Sequence, residues 1–354
     1  MMSPPDELKT YCLVVGGGAL GLLLANSLRK TEQFVQGRMK LGVASRSSLP
    51  QPVTVRSTST GQTETLDVPV DMGTPEECID RLQMELPSRL VLFLCVAPEN
   101  TEAVFEQWHD AIGQLQSRRK VEFVFCNNGL LSSNILNKIS IDCADFSYLR
   151  AIFLVGAERR KAETGCEVDW NGGDLVYWGS LSEVSANNCA RQSSWLSEVA
   201  GHTQCSGTSV KESFIGFLKW REDPQIMQTE RAKFFTNFML AAIIGPTIEK
   251  NGRILEITSE NFRKIQADQF GLLWSRHGVT SRFILENLDA TVSATSGNHN
   301  SLSLQGVRGG KNTMNYFIQT LENEIKESRL DGQLQELCGF IQATKKSWGL
   351  MHDK

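Results

Sequence analysis

The stretch Tyr11–Leu28, YCLVVGGGALGLLLANSL, decides the fold. Its first five residues form an apolar run of the length of a buried strand, and Leu20 to Leu28 has helical spacing. Between them stand glycines at 16, 18 and 21, the order Gly-x-Gly-x-x-Gly. Each glycine has a physical task in a strand–turn–helix unit. Gly16 permits the tight turn, Gly18 lets a pyrophosphate approach the backbone, and Gly21 lets helix and strand pack closely. The helix start at Ala19 and Leu20 offers free N–H groups and a positive dipole end to phosphates. The competing reading is a structural glycine turn, but the flanking strand and helix favour a dinucleotide site.

Outward from this unit, Lys40 to Ala44 reads as the second strand and ends in Ser45-Arg46-Ser47-Ser48. An NAD site would place Asp or Glu here to hold the ribose hydroxyls, and none is present. Ser45 and Arg46 suit a 2′-phosphate instead, so the expected cofactor is NADP(H). The alternative is a solvated loop arginine. Val53 to Val70 alternates as short strands. Leu90 to Ala97 and Val121 to Cys126 read as buried strands, with helices over Pro75 to Met84 and through Trp108. This alternation predicts an α/β fold with a parallel, doubly wound sheet, which binds ligands at the carboxyl ends of its strands. Pro98-Glu99-Asn100 and Asn127-Asn128-Gly129 lie at such ends.

Farther along, Ala151 to Ala157, Gly165 to Trp170 and Asp174 to Gly179 read as strands, with a turn at Asn171-Gly172-Gly173. A helix over Ser185 to Ala200 and a short stretch, His202 to Gly207, close this part. Beyond 208 the strand signals fade. Helical periodicity covers Glu230 to Asn251, Ser259 to His277, Asn312 to Arg329 and Gly332 to Trp348. Thr291 to Lys311, rich in Ser, Gly and Asn, reads as a long loop. The expected division is a Rossmann-type dinucleotide-binding domain over 1–207 and an all-helical substrate and dimerisation domain over 208–354.

Composition agrees. The chain has 354 residues, 41% hydrophobic and 21% charged, enough for two cores. A net charge of -4 argues against nucleic acid as the main partner. No apolar run reaches the roughly 18 residues of a membrane span. Met1 to Thr10 is polar and holds Asp6 and Glu7, unlike a signal peptide. The nine cysteines form no Cys-x-x-Cys pair and no zinc spacing, so no metal is expected. Cys12, Cys95 and Cys126 lie in apolar runs, as reduced buried thiols of a cytoplasmic protein do.

The order of these motifs resembles the ketopantoate reductases. Gly16-Gly17-Gly18-Ala19-Leu20-Gly21 is similar to the family's opening, and Asn127-Asn128-Gly129 to its Asn-Gly turn beside the nicotinamide. Ala157-Glu158-Arg159-Arg160, followed by Gly165 and a hairpin, resembles its next segment. Glu230-Arg231-Ala232-Lys233-Phe234-Phe235-Thr236-Asn237 resembles its catalytic helix, where a Lys precedes an Asn by four. Ser303-Leu304-Gln305-Gly306 through Thr313-Met314 matches the frame of its late substrate loop. The resemblance spans nearly the whole chain. It implies NADPH-dependent reduction of a 2-keto acid, as 2-dehydropantoate 2-reductase performs in pantothenate biosynthesis. It further implies Lys233 as proton donor, Asn237 on the substrate, Asn128 at the nicotinamide end, Ser303 and Met314 at substrate positions, and a homodimer.

The departures concern the substrate. The family usually has Asp at the place of Gly306 and Glu at that of Met314; a second Asn often stands where Ala241 is, and a Lys where this chain has Val96-Ala97-Pro98. Ketopantoate is therefore expected to be a poor substrate, and a keto acid with an apolar or bulkier tail a better one.

The residues carry chemistry of their own. Lys233 and Asn237, four apart on a predicted helix, share one face. Reduction of a ketone needs a hydride and a group that polarises the oxygen and supplies a proton. A partly buried lysine does both when apolar surroundings lower its pKa. The competing reading of Lys233 is a helix-surface charge beside Arg231. His299 lies in the substrate loop as a ligand or a solvated histidine, with Ser301 and Ser303 nearby. Trp220 and Trp274 read as helical core or interface residues. Two other functions stay open: an NADP(H)-binding sensor or partner-binding subunit without turnover, which the missing acids would suit, and an opine-type dehydrogenase, which fits the motif frame less well.

Overall fold

Strand β1 (Thr10–Val15) is buried at every position, which is why it reads as an unbroken apolar run. The structure is a computed structural model, and it describes residues 10–46, 49, 51–66, 70–71, 74–85, 87–113, 120–141, 146–161, 164–181, 195–196, 212–247, 249–297 and 311–350. From β1 the chain turns through the glycines into α1 (Ala19–Leu28) and a short α2 (Glu32–Val35), then returns as β2 (Met39–Ala44), parallel to β1 with Thr10 opposite Met39. This is the β-α-β unit that the glycine motif predicts. Strands β3 (Val53–Ser57), β4 (Thr63–Leu66) and β5 (Val70–Asp71) follow, then α3 (Pro75–Glu85). Next come β6 (Arg89–Leu94), α4 (Thr101–Gly113), β7 (Lys120–Phe125) and α5 (Ser133–Ile141).

Among the described residues the sheet has eleven strands. Its parallel centre runs β2-β1-β6-β7-β8, where β8 is Phe146–Lys161, so the ends of β1, β2, β6 and β7 all open on one edge. β9 (Cys166–Ser180) returns antiparallel along β8 and also pairs in parallel with β3. The turn expected at Asn171-Gly172-Gly173 is not there: β9 runs straight through it. Gly172 and Gly173 take positive φ of 112° and 74° and absorb a bulge, where the register shifts between Leu154 and Gly156. A Cβ on Gly173 would lie 2.2 Å from the Leu154 carbonyl oxygen, so only glycine fits.

The strand signals do not end at 208. β10 (Glu212–Ile215) and β11 (Leu218–Glu222) extend the sheet beyond β9, and Trp220 is a buried strand residue rather than a helical one. Both strands are very short, and β11 carries three charges in five residues, so their alternation is hard to see in sequence. The first unit accordingly reaches Ile226, and the boundary expected at 207/208 moves to 226/227. Most of the helix expected over Ser185 to Ala200, and the whole stretch His202 to Gly207, lie outside the described residues.

The second unit takes the chain from Met227 together with Asn128–Leu130. Its helices are α6 (Ile226–Ile244), α7 (Ile254–Ile257), α8 (Glu260–Leu273), α9 (Ser281–Thr295), α10 (Lys311–Ser328) and α11 (Gln335–Ser347). α6 stops short of the expected Asn251 because Pro246 has no N–H to continue it. α9 occupies the first five residues of the expected long loop. Thr280 caps it by accepting the Phe283 N–H at 3.2 Å. The core packs Phe234, Phe235, Phe238, Phe270, Trp274 and Phe317. Among the described residues no helix is long and apolar enough to cross a membrane.

Candidate active site

The glycine turn is shaped from both sides. Gly16 sits at φ 120°, and a Cβ there would lie 2.4 Å from the Cys95 carbonyl oxygen. A Cβ on Gly21 would lie 2.1 Å from the Gly16 carbonyl oxygen. Only glycine allows α1 this close to β1 and β6. Gly18 differs: a Cβ there meets nothing within 4 Å. Its side is open, and its extended backbone starts α1 without a side-chain cap. Ala19 and Leu20 begin a helix whose first turn carries no acid. Space beside Gly18, uncapped N–H groups and a positive dipole end are what a dinucleotide diphosphate needs, so these residues fit that group.

Ser45 and Arg46 follow the end of β2, the strand beside β1. Ser45 lies against the loop: a Cβ on Gly17 would be 2.8 Å from its hydroxyl. Arg46 is exposed, and Ser47 and Ser48 lie outside the described residues. From β8, Arg159 Nη1 donates to the Gly17 carbonyl at 2.7 Å.

The end of β7 is braced by a residue that the sequence reading passed over. Arg150 is buried, and its guanidinium donates to the carbonyls of Phe125 (2.6 Å), Asn127 (2.8 Å) and Ala151 (3.1 Å). An arginine inside the apolar run Tyr148 to Val155 was the available signal. Asn127 is 3% exposed, and neither its Oδ1 nor its Nδ2 has a partner among the described residues. Asn128 is exposed.

In the helical unit, α6 is closed on nearly every side. From Thr229 to Ala242 each residue is buried except Lys233 and Asn237, which are half-buried. Four apart, they form a single polar strip on an otherwise sealed helix. Burial lowers the Lys233 pKa from 10.5 to about 8. Among the described residues neither side chain has a hydrogen-bond or ion-pair partner. Arg231, two residues earlier, does not share this face. Its Nη2 donates to His277 Nε2 at 3.0 Å, and Arg276 Nε donates to the same nitrogen at 3.2 Å. Burial and these two guanidiniums push the His277 pKa down to about 4, so the ring stays a neutral acceptor that ties α6 to the turn after α8. This brace was not legible in the sequence, where His277 is one of five scattered histidines.

His299, Ser301, Ser303 and Gly306 lie outside the described residues. Met314, expected at a substrate position, lies inside the helical unit. It is 0% exposed within the core of the helical unit, so its thioether fills packing space and offers no surface to a ligand. Ala241 is buried too, and the polar strip of α6 ends at Asn237. Among the described residues no group of three His, Cys, Asp or Glu could hold a metal ion.

A glycine-rich β-α-β unit in a mostly parallel sheet, followed by a bundle of helices, defines the class: a Rossmann-type domain joined to an all-helical one. Within that class the fold is that of the ketopantoate reductases. The chain matches a 2-dehydropantoate 2-reductase from Methylococcus capsulatus at 15% identity and a TM-score of 0.56, over 96% of this chain and 95% of that one. A dimeric ketopantoate reductase from Staphylococcus aureus matches at 11% identity and 0.62, over 96% and 99%. A D-mandelate dehydrogenase with NADH matches at 11% and 0.63, over 97% and 100%. No family model and no curated protein sequence matches the chain.

Proposed function

We propose that the chain is an NADP(H)-dependent oxidoreductase that reduces a 2-keto acid to the 2-hydroxy acid. The observation that carries this is the strip on α6: a lysine of pKa about 8 with an asparagine one turn on, alone on a sealed helix. An ammonium near that pKa stays protonated at neutral pH yet gives up its proton readily, as a general acid must. Lys233 polarises the ketone oxygen and delivers the proton to it. Asn237 hydrogen-bonds the carboxylate. A bound nicotinamide supplies the hydride. Gly18, Ala19 and Leu20 receive the diphosphate on backbone N–H groups, Ser45 and Arg46 take the 2′-phosphate, and Asn128 holds the nicotinamide end.

The polar strip is two residues long, which suits a keto acid with one apolar substituent beside its carboxylate. The likeness to a D-mandelate dehydrogenase supports that reading, since mandelate carries a phenyl group. The dimeric S. aureus structure supports a homodimer, and the free cysteines support a cytoplasmic location. The test is NADPH oxidation across 2-keto acids with hydroxylated, branched and aromatic tails, with Lys233→Ala beside the wild type. Turnover of an apolar-tailed acid that falls ~10²-fold in the variant supports the assignment. A second reading, a dinucleotide-binding protein without turnover, gains from the burial of Met314, where the resembled enzymes carry an acid. Tight NADPH binding with no turnover on any acid decides for it.

A further inference from the structure

We propose that Arg159 is a second cofactor arginine, binding the 2′-phosphate together with Arg46; this rests on the NADP(H) reading above. Along β8, side chains alternate between the two faces of the sheet. Glu158 and Arg160 share one face and are fully engaged there. Arg160 pairs with Glu158 at 3.3 Å and with the buried Asp169 at 3.0 Å, and Arg56 reaches the same Asp169 at 2.7 Å. Arg159 points to the opposite face and meets the glycine loop. Its one hydrogen-bond partner among the described residues is a neutral carbonyl, that of Gly17, and no carboxylate there pairs with it.

Gly17 locates this guanidinium. Its missing side chain is what lets the Ser45 hydroxyl approach the loop, so Arg159 meets the loop at the residue that abuts the end of β2. In a Rossmann site the diphosphate lies at the helix start and the adenosine ribose at the end of the second strand. Gly17 faces Ser45 at that strand end, whereas Gly18 faces open space. One N–H of the guanidinium is spent on the Gly17 carbonyl, which fixes the plane, and the rest stay available for a dianion. A guanidinium held beside an acid-free helix start, with a second arginine after β2, points to a phosphate.

The experiment is calorimetric titration of NADPH, NADH and 2′,5′-ADP into the wild type, Arg159→Met, Arg159→Lys and Arg46→Ala, with thermal melting to confirm folding. Arg159→Met should weaken NADPH and 2′,5′-ADP by about 10-fold or more, as expected for one charged hydrogen bond, and NADH by less than about 2-fold. Arg159→Lys should recover part of the loss and serves in place of Met if that variant does not fold. A wild type without preference for NADPH sinks the NADP(H) reading. A wild type that prefers NADPH, with Arg159→Met and Arg159→Lys unchanged, sinks only the role of Arg159. Equal losses for NADPH and NADH put the contact on the shared diphosphate and also overturn the proposal.

Discussion

Replacing Lys233 by methionine keeps the stem and removes the charge, and the structure sets the size of the effect. Burial lowers the lysine from 10.5 to about 8. At about 1.4 kcal/mol per pH unit, this is a penalty of roughly 3 kcal/mol on the charged form in the folded protein. Below pH 8 the amine is protonated in both the folded and unfolded states, so the whole penalty is present. Between about 8 and 10.5 the folded lysine is neutral while the unfolded one still holds its proton, and stability recovers as pH rises. Lys233→Met should therefore be more stable than the wild type at pH 7, by up to about 3 kcal/mol. The difference should fade by about pH 10.5. Urea denaturation at a series of pH values reads this directly. The same variant should lose reduction by ~10²-fold or more, and the wild-type rate should decline above about pH 8 as the general acid loses its proton. A surface lysine behaves differently: its replacement moves stability by within about 0.5 kcal/mol at every pH. That flat result, or a variant that keeps its rate, would refute the assignment.

The glycines separate fold from ligand. Gly16→Ala, forced against the Cys95 carbonyl at positive φ, should cost about 2 kcal/mol or more in denaturation. Gly18→Ala should melt with the wild type yet bind dinucleotide at least ~10-fold more weakly in titration, because its added methyl enters only the open space proposed for the phosphate. Arg46→Ala should cut NADPH affinity about 10-fold and leave NADH unchanged. His277, held neutral to about pH 4 against an ordinary 6.5, should make stability fall as pH drops from 6.5 to 4; His277→Gln, which keeps an acceptor for Arg231, should flatten that slope in acid denaturation.

Local patterns carried the fold as far as local patterns decide it. β1, α1 and β2 are legible because each is buried in one period and the glycines between them are the one residue type that fits. The parallel centre follows from the same alternation. The misses come from context. At Asn171-Gly172-Gly173 two glycines and an asparagine look like a turn, and only the neighbouring β8 reveals that they absorb a bulge. β10 and β11 are short, β11 carries three charges in five residues, and what marks them as strands is pairing: β11 along β9, and β10 along β11. No helix is expected where α9 stands, and its last turn falls in the expected loop; what fixes it is the Thr280 cap and the packing of Ile284, Leu288 and Val292.

The site divides along the same line. Most of the proposed cofactor side lies within residues 16 to 46, where the glycines' geometry can be read in one dimension. The α6 side could not. A lysine four before an asparagine is common on solvated helices, and its pattern alone favours a surface charge. What changes the reading is that phenylalanines at 234, 235 and 238, with Ala232 and Ala241, close every other face. The other buried polar side chains of α6 are engaged, Arg231 with His277 and Thr236 with Asn287. On such a helix a polar pair is costly unless something uses it, and the depressed lysine pKa is that cost expressed as chemistry. The converse holds for Met314. Its expected role came from its place in a resembled frame, not from any property of the side chain, and packing reclaimed it for the core. A polar residue that packing has failed to exclude is therefore stronger support for a proposed role here than a position inherited from a motif; Lys233 and Asn237 have that support, and the fully buried Met314 lacks it.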